Sequence, residues 1–403
     1  MNPERSDEAT VVGFFPGPFM PEELVYAAGA APVCLAYGGN AQIAEHALSL
    51  LPPIICPFAR AQVGEMLLKT TPAYQALDLL IVPSTCQHLR KIGDMWEYYE
   101  PMAVFKLGVP YDPAETLALT YFRNRLADLR AQLEALTGRT ISDAAITEAI
   151  AVYDRLREAL RKVSLLRQSA PPGISGLEFV KLSHASLSGD PVGATAALEA
   201  VHRELQAAAP ADAPAPAAAP PAPTTAAPVP AAKPRLMLIG PNVAIGDYGI
   251  YEMIESAGAD IVIEDVFEGL RDCRYDAATN GGADSADPAD RPDPAGPADP
   301  LDALTRARLV GRVPAAFMRS STGPRFEYIS QLIRDFRVQG VIWYELLCCE
   351  FYDQDAFFFE NRLRELGIPM LTIESNYGDV RSGAVRTRLE AFLEVVQGGP
   401  ADA

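Results

Sequence analysis

Three cysteines carry the strongest chemical signal in this chain. Cys56 closes the stretch Leu51-Pro52-Pro53-Ile54-Ile55, Cys86 closes Asp78-Leu79-Leu80-Ile81-Val82-Pro83-Ser84-Thr85, and Cys349, next to Cys348, closes Gly340-Val341-Ile342-Trp343-Tyr344-Glu345-Leu346-Leu347. Each stretch reads as a β-strand. In open α/β sheets, ligands bind just beyond the carboxyl ends of the strands. Three thiols from distant parts of the chain at that rim point to a shared metal centre. Pro57 follows Cys56 and favours a first helical turn, and Cys86 stands at a similar strand-to-helix junction. A thiol at a helix start feels the positive end of the dipole and its free N–H groups, which favours the thiolate that binds metal.

Soft thiolates select zinc, copper(I) or an iron–sulfur cluster. No Cys-x-x-Cys knuckle is present, which argues against a zinc finger. A cubane cluster normally takes four thiolates, so three would leave one iron with an open position, as catalytic metals have. The competing reading is three buried packing cysteines, since free Cys is among the most buried residue types.

The elements that must position these residues follow from length and pattern. At 403 residues the chain is too long for one ordinary core, and two domains are expected. Its net charge of −18 argues against a nucleic-acid partner, which demands clustered Lys and Arg. The N-terminus lacks a basic start and an apolar run, and no stretch approaches the ~18 apolar residues of a membrane span. A cytoplasmic protein with reduced thiols is therefore expected, without membrane association.

The Ala/Pro stretch 207–234 reads as a linker, and the Asp/Pro/Gly-rich stretch 277–300 as a disordered insertion. They divide the chain into an N-terminal α/β domain, 1–206, and a C-terminal α/β domain, 235–403. Strands alternate with helices in both. Strands are expected at 11–15, 32–37, 104–109, 235–240, 260–264 and 368–374, besides those leading to the cysteines. Helices are expected at 21–29, from Cys56 to Lys69, from Cys86 to Tyr99, and at 249–258, 324–338, 355–367 and 383–396. Residues 115–137 and 142–168 read as a helical hairpin. The pattern predicts two doubly wound parallel-sheet domains, Rossmann-like or flavodoxin-like, with the additional hairpin and the cleft between the domains as the site.

Several segments, in this order, resemble the 2-hydroxyacyl-CoA dehydratase and benzoyl-CoA reductase family of iron–sulfur proteins. They are Val12-Gly13-Phe14-Phe15, Pro21 to Val33, Leu51 to Phe58, Leu77 to Cys86, Gly340 to Cys349, Gly367-Ile368-Pro369 and Arg386 to Glu394. The resemblance implies a [4Fe–4S] cluster on Cys56, Cys86 and Cys349. It implies a related second subunit, an acyl-CoA substrate and a separate ATP-dependent activator that delivers one electron. The implied reaction is radical elimination of water from an (R)-2-hydroxyacyl-CoA through a ketyl radical anion. Reduction of an aromatic acyl-CoA and a non-catalytic electron-relay subunit are the alternatives. The chain departs from the family pattern at Gln87, where Asp is common, and in the shortened basic run Arg90-Lys91.

Around this core stand further candidates. Cys348 could replace Cys349 if the strand register differs, because adjacent residues face opposite ways. Cys34 and Cys273 read as structural, with a second cluster the other possibility. Arg60, Arg90 and Lys91 are candidates for the phosphates of coenzyme A, or are solvated helix residues. His88 reads as a surface helix residue, or as a donor to a cluster sulfur. Glu22 and Glu23 suit a first helical turn. The chain has neither a Gly-x-x-x-x-Gly-Lys-Ser/Thr phosphate loop nor a Gly-x-Gly-x-x-Gly fingerprint, so nucleotide chemistry must come from elsewhere.

Overall fold

The computed structural model describes residues 10–187, 189–208, 233–266, 299–378 and 381–398. Cys273, nearly all of the linker and the insertion up to residue 298 lie outside them.

Two four-stranded parallel sheets form the two lobes. The first is ordered β2-β1-β3-β4, from β1 (Val11–Phe14), β2 (Ala31–Cys34), β3 (Leu79–Pro83) and β4 (Ala103–Leu107). The second is ordered β6-β5-β7-β8, from β5 (Arg235–Ile239), β6 (Asp260–Asp265), β7 (Gly340–Leu346) and β8 (Met370–Ser375). Strands β3 and β5 are buried at every position, as continuous apolar strands covered on both faces must be. In each sheet the strand order reverses beside the first strand, between β1 and β3 and between β5 and β7. Ligand crevices open at such reversals.

The helices are α1 (Glu22–Ala27), α2 (Ala41–His46), α3 (Pro57–Leu68), α4 (Gln87–Tyr99), α5 (Ala118–Thr137), α6 (Asp143–Leu165), α7 (Gly176–Ala185), α8 (Pro191–Ala208), α9 (Gly249–Ser256), α10 (Pro300–Leu309), α11 (Thr322–Asp335), α12 (Glu350–Glu365) and α13 (Gly383–Gly398). The expected hairpin is α5–α6. Helix α4 shows how sequence sets burial: Leu89, Ile92, Met95 and Trp96 recur at helical spacing and are buried, while Arg90, Lys91 and Asp94 face outward. Helix α7 begins with a capping box between Ser175 and Glu178.

The structure corrects two of the expected strands. Residues 51–56 form a turn rather than a strand. Pro52 and Pro53 lack the N–H groups a ladder requires, so Cys56 is delivered by a loop behind α2. The second strand is also shorter than the sequence suggests and stops at Cys34. Tyr37 instead forms an isolated parallel bridge with Ile245 of the other lobe.

The lobes exchange helices. Val152, Leu156, Leu160 and Val163 of α6 pack in one core with Met237, Val262 and Trp343 of the second sheet. Leu301 and Leu304 of α10 pack with Phe122 and Leu126 of α5. Glu23 ties this exchange together. It is fully buried and accepts from Arg157 of α6 at 2.9 Å and from Arg308 of α10 at 2.8 Å. Burial alone would push its carboxyl up, but Arg308 and Arg157 outweigh burial and hold it below the ordinary value. The first-turn acid that suits a helix dipole is thus a bolt joining α1, α6 and α10.

The seam itself is tight. Ile245 donates to the Ala36 carbonyl at 2.7 Å, and Gly38 donates to the Ile245 carbonyl at 3.1 Å. Gly39 sits at φ +73°, and a Cβ there would fall 2.6 Å from the Asp247 backbone. Only glycine tolerates both demands.

Candidate metal centre

Cys56, Cys86 and Cys349 line one cavity of about 70 Å³ between the lobes. Pro16 reaches it from beyond β1, Thr85 and Cys86 from beyond β3, Pro241 and Asn242 from beyond β5, and Leu346 and Cys349 from the end of β7. Both strand-order reversals therefore open into the same space. Phe58, Leu89, Phe317, Phe351 and Tyr352 close much of the remainder.

Each of the three cysteines is the residue immediately before a helix. Cys56 precedes α3, Cys86 precedes α4 and Cys349 precedes α12. Cys86 Sγ accepts a hydrogen bond from Leu89 N–H at 3.3 Å. Three helix starts, each equivalent to about half a positive charge, thus converge where anionic sulfur would sit.

Burial works against that anion. It pushes the Cys56 thiol up to about 12, with Cys86 adding to the rise and the N–H groups of Ala59 and Phe58 opposing it. Burial also raises Cys86, against the N–H groups of Leu89 and His88. It raises Cys349 well above the ordinary thiol value, reinforced by Cys56 and Cys86. The three sulfurs thus feel one another electrostatically. Burial in this apolar pocket therefore favours the protonated thiols, and a cation bound by them would have to displace those protons.

Cys348 is absent from the cavity lining. It adopts a left-handed backbone, φ +63°, and its electrostatic neighbours are Asp353, Glu374, Arg60 and Glu350. Cys34 is buried in the first-lobe core. His88 is half-buried, and its Nδ1 accepts from Cys56 N–H at 3.3 Å, so the α4 imidazole braces the start of α3. Burial lowers its pKa, opposed by Glu350. Arg60 is buried, 6% exposed, and donates through Nε to the Ile55 carbonyl at 3.0 Å. Arg90 and Lys91 are exposed on the outer face of α4. Nothing in the sequence signals the brace from His88 or the burial of Arg60, because charged and polar helix residues are normally exposed.

Among the described residues, no three His, Cys, Asp or Glu side chains are gathered for a single metal ion. No described helix is long and apolar enough to cross a membrane.

Residues 18–396 match the family model of the 2-hydroxyglutaryl-CoA dehydratase D-component, and the chain belongs to that family. It is 25% identical over 387 residues to YjiM of Escherichia coli, provisionally named a dehydratase subunit, covering 94% of this chain and 89% of the relative. It is 27% identical over 185 residues to one of the subunits of benzoyl-CoA reductase from Thauera aromatica, covering 46% of this chain and 47% of the relative. It is 29% identical over 195 residues to the β subunit of (R)-2-hydroxyglutaryl-CoA dehydratase of Acidaminococcus fermentans, covering 47% of this chain and 50% of the relative.

Proposed function

We propose that this chain is the iron–sulfur subunit of a 2-hydroxyacyl-CoA dehydratase-type enzyme, holding a [4Fe–4S] cluster on Cys56, Cys86 and Cys349. The observation that carries the reading is the meeting of three thiols, each at a helix start, in one apolar cavity between the lobes. The donor set fits the group. Ligands of one ion crowd a single centre, whereas thiolates of a cubane bind different irons and stand farther apart. Three soft thiol ligands lining one apolar cavity suit an iron–sulfur cluster.

When bound, such a cluster supplies one-electron chemistry with one iron free of protein thiolate. The chain's own residues prepare the place. The helix starts and the Leu89 N–H stabilise anionic sulfur. His88 orients the Cys56 backbone. Phe58, Phe317, Phe351 and Tyr352 make much of the cavity wall apolar, and a low-dielectric wall strengthens electrostatic interactions beside it. The acyl-CoA, a related second subunit and an activating electron donor belong to this reading through the family.

The similarity to a benzoyl-CoA reductase subunit keeps reduction of an aromatic thioester as the second reading. Anaerobic purification with iron and sulfide assay tests the first step, about four irons per chain being expected from a cubane. Cys86→Ala should lose most of that iron, and unchanged iron content would remove Cys86 from the ligand set. A spectral change of the cluster on adding a 2-hydroxyacyl-CoA supports the dehydratase reading. A response to an aromatic acyl-CoA alone supports the reductase, and no response to either indicates a relay subunit.

A further inference from the structure

Arg60 is an unusual arginine. It lies on α3, one turn beyond Cys56, yet it is 6% exposed. Its side chain folds back across the helix start, and Nε–H donates to the Ile55 carbonyl at 3.0 Å. This is its only side-chain hydrogen bond among the described residues, and no described carboxylate lies within ion-pair distance of it. Several other buried arginines are paired with carboxylates, although the side chain of Arg235 likewise donates only to backbone carbonyls, those of Phe336, Ser169 and Arg167. Arg157 and Arg308 hold Glu23, Arg167 holds Glu264, and Arg325 holds Asp355.

A buried guanidinium without a carboxylate is costly unless an anion compensates it. Arg60 acts electrostatically on Cys56 and on Cys348, the latter also in the field of Asp353, Glu374 and Glu350. A cluster held by three thiolates is anionic, and more so after accepting an electron. Among the described residues, the polar side chains lining the cavity apart from its thiols are those of Thr85, Asn242 and Tyr352, all neutral.

We propose that Arg60 is a positioning residue for the thiolate centre, its pinned guanidinium supplying the fixed counter-charge that favours the one-electron-reduced state. This inference rests on the reading of a cluster at the three cysteines. It assigns Arg60 a part in setting the potential, in place of a contact with coenzyme A phosphates.

The test compares Arg60→Gln and Arg60→Lys with the unaltered protein, all purified anaerobically with any partner that accompanies them. Iron and sulfide are measured first, then the midpoint potential by an EPR-monitored dithionite titration, in which dithionite supplies the electron. With Gln, the reduced-to-oxidised ratio at a fixed potential should fall about tenfold, a shift of about 59 mV to the negative for one electron. Lys, which keeps the charge but not the planar fork, should restore most of it. Loss of iron with Gln and its retention with Lys would also support the counter-charge. An unchanged potential with Gln, or equal effects of Gln and Lys on potential or iron content, would overturn it. Absence of iron from the unaltered protein would instead overturn the cluster reading itself.

Discussion

Replacing Asp247 by Asn should make the protein more stable at neutral pH, by an amount the structure sets. Asp247 lies at the seam between the lobes and is 5% exposed. Burial raises its pKa from the ordinary 3.8 to about 6, although the Tyr344 hydroxyl hydrogen-bonds to it and Arg381 also favours its charged form. A carboxyl raised in this way destabilises the fold once ionised. Below the unfolded value both states hold the proton and there is no penalty. The penalty grows between 3.8 and about 6 and is complete above that. At about 1.4 kcal/mol per pH unit the full penalty is about 3 kcal/mol. Asn preserves an acceptor for Tyr344 and does not titrate. Urea unfolding of both proteins at about pH 4 and about pH 7.5 isolates the effect. The stability difference, variant minus wild type, should be about 2 kcal/mol more favourable at the higher pH. A difference independent of pH would refute the reasoning, since it would mean that Asp247 titrates normally in the folded protein.

Other expectations follow from packing and from the thiols. Glu23→Gln should destabilise by about 3–5 kcal/mol, because Arg157 and Arg308 would remain buried without their counter-charge; thermal unfolding measures it, and a loss below about 1 kcal/mol would contradict the bolt. The contribution of Glu23 should be present above pH 4.5 and fade as pH falls through its depressed value. Gly64→Ala should destabilise by about 1–3 kcal/mol, since a Cβ there would fall 2.0 Å from the Ile43 carbonyl oxygen and force α3 from α2; urea unfolding reads it. Cys348→Ser should retain bound iron while Cys349→Ser loses most of it, because only Cys349 lines the cavity; iron assay on the anaerobically purified variants decides between them.

Much of this arrangement is legible in the residues. The apolar runs at Leu79 and Val341 announce central strands, and the residues after Cys56 and Cys86 announce helices, so pattern alone places these thiols at helix starts. Ile54 and Ile55 make the segment before Cys56 look like a strand, while the two prolines ahead of them decide for a turn. Adjacent Cys348 and Cys349 cannot be separated by pattern, since the choice depends on a left-handed backbone at a non-glycine residue. The exchange of α6 and α10 between lobes is hidden for another reason. An amphipathic stripe reveals that a helix buries a face, not which sheet covers it.

Cys56 and Cys86 ride on one lobe and Cys349 on the other, with the Tyr37–Ile245 bridge and the exchanged helices as the protein's own fastenings. Any group gripped by all three sulfurs is consequently a rivet through the joint. Its damage by oxygen or its withdrawal by a chelator would be a mechanical event as well as a chemical one, loosening the halves while each sheet stays intact. Activity and rigidity would then fail together.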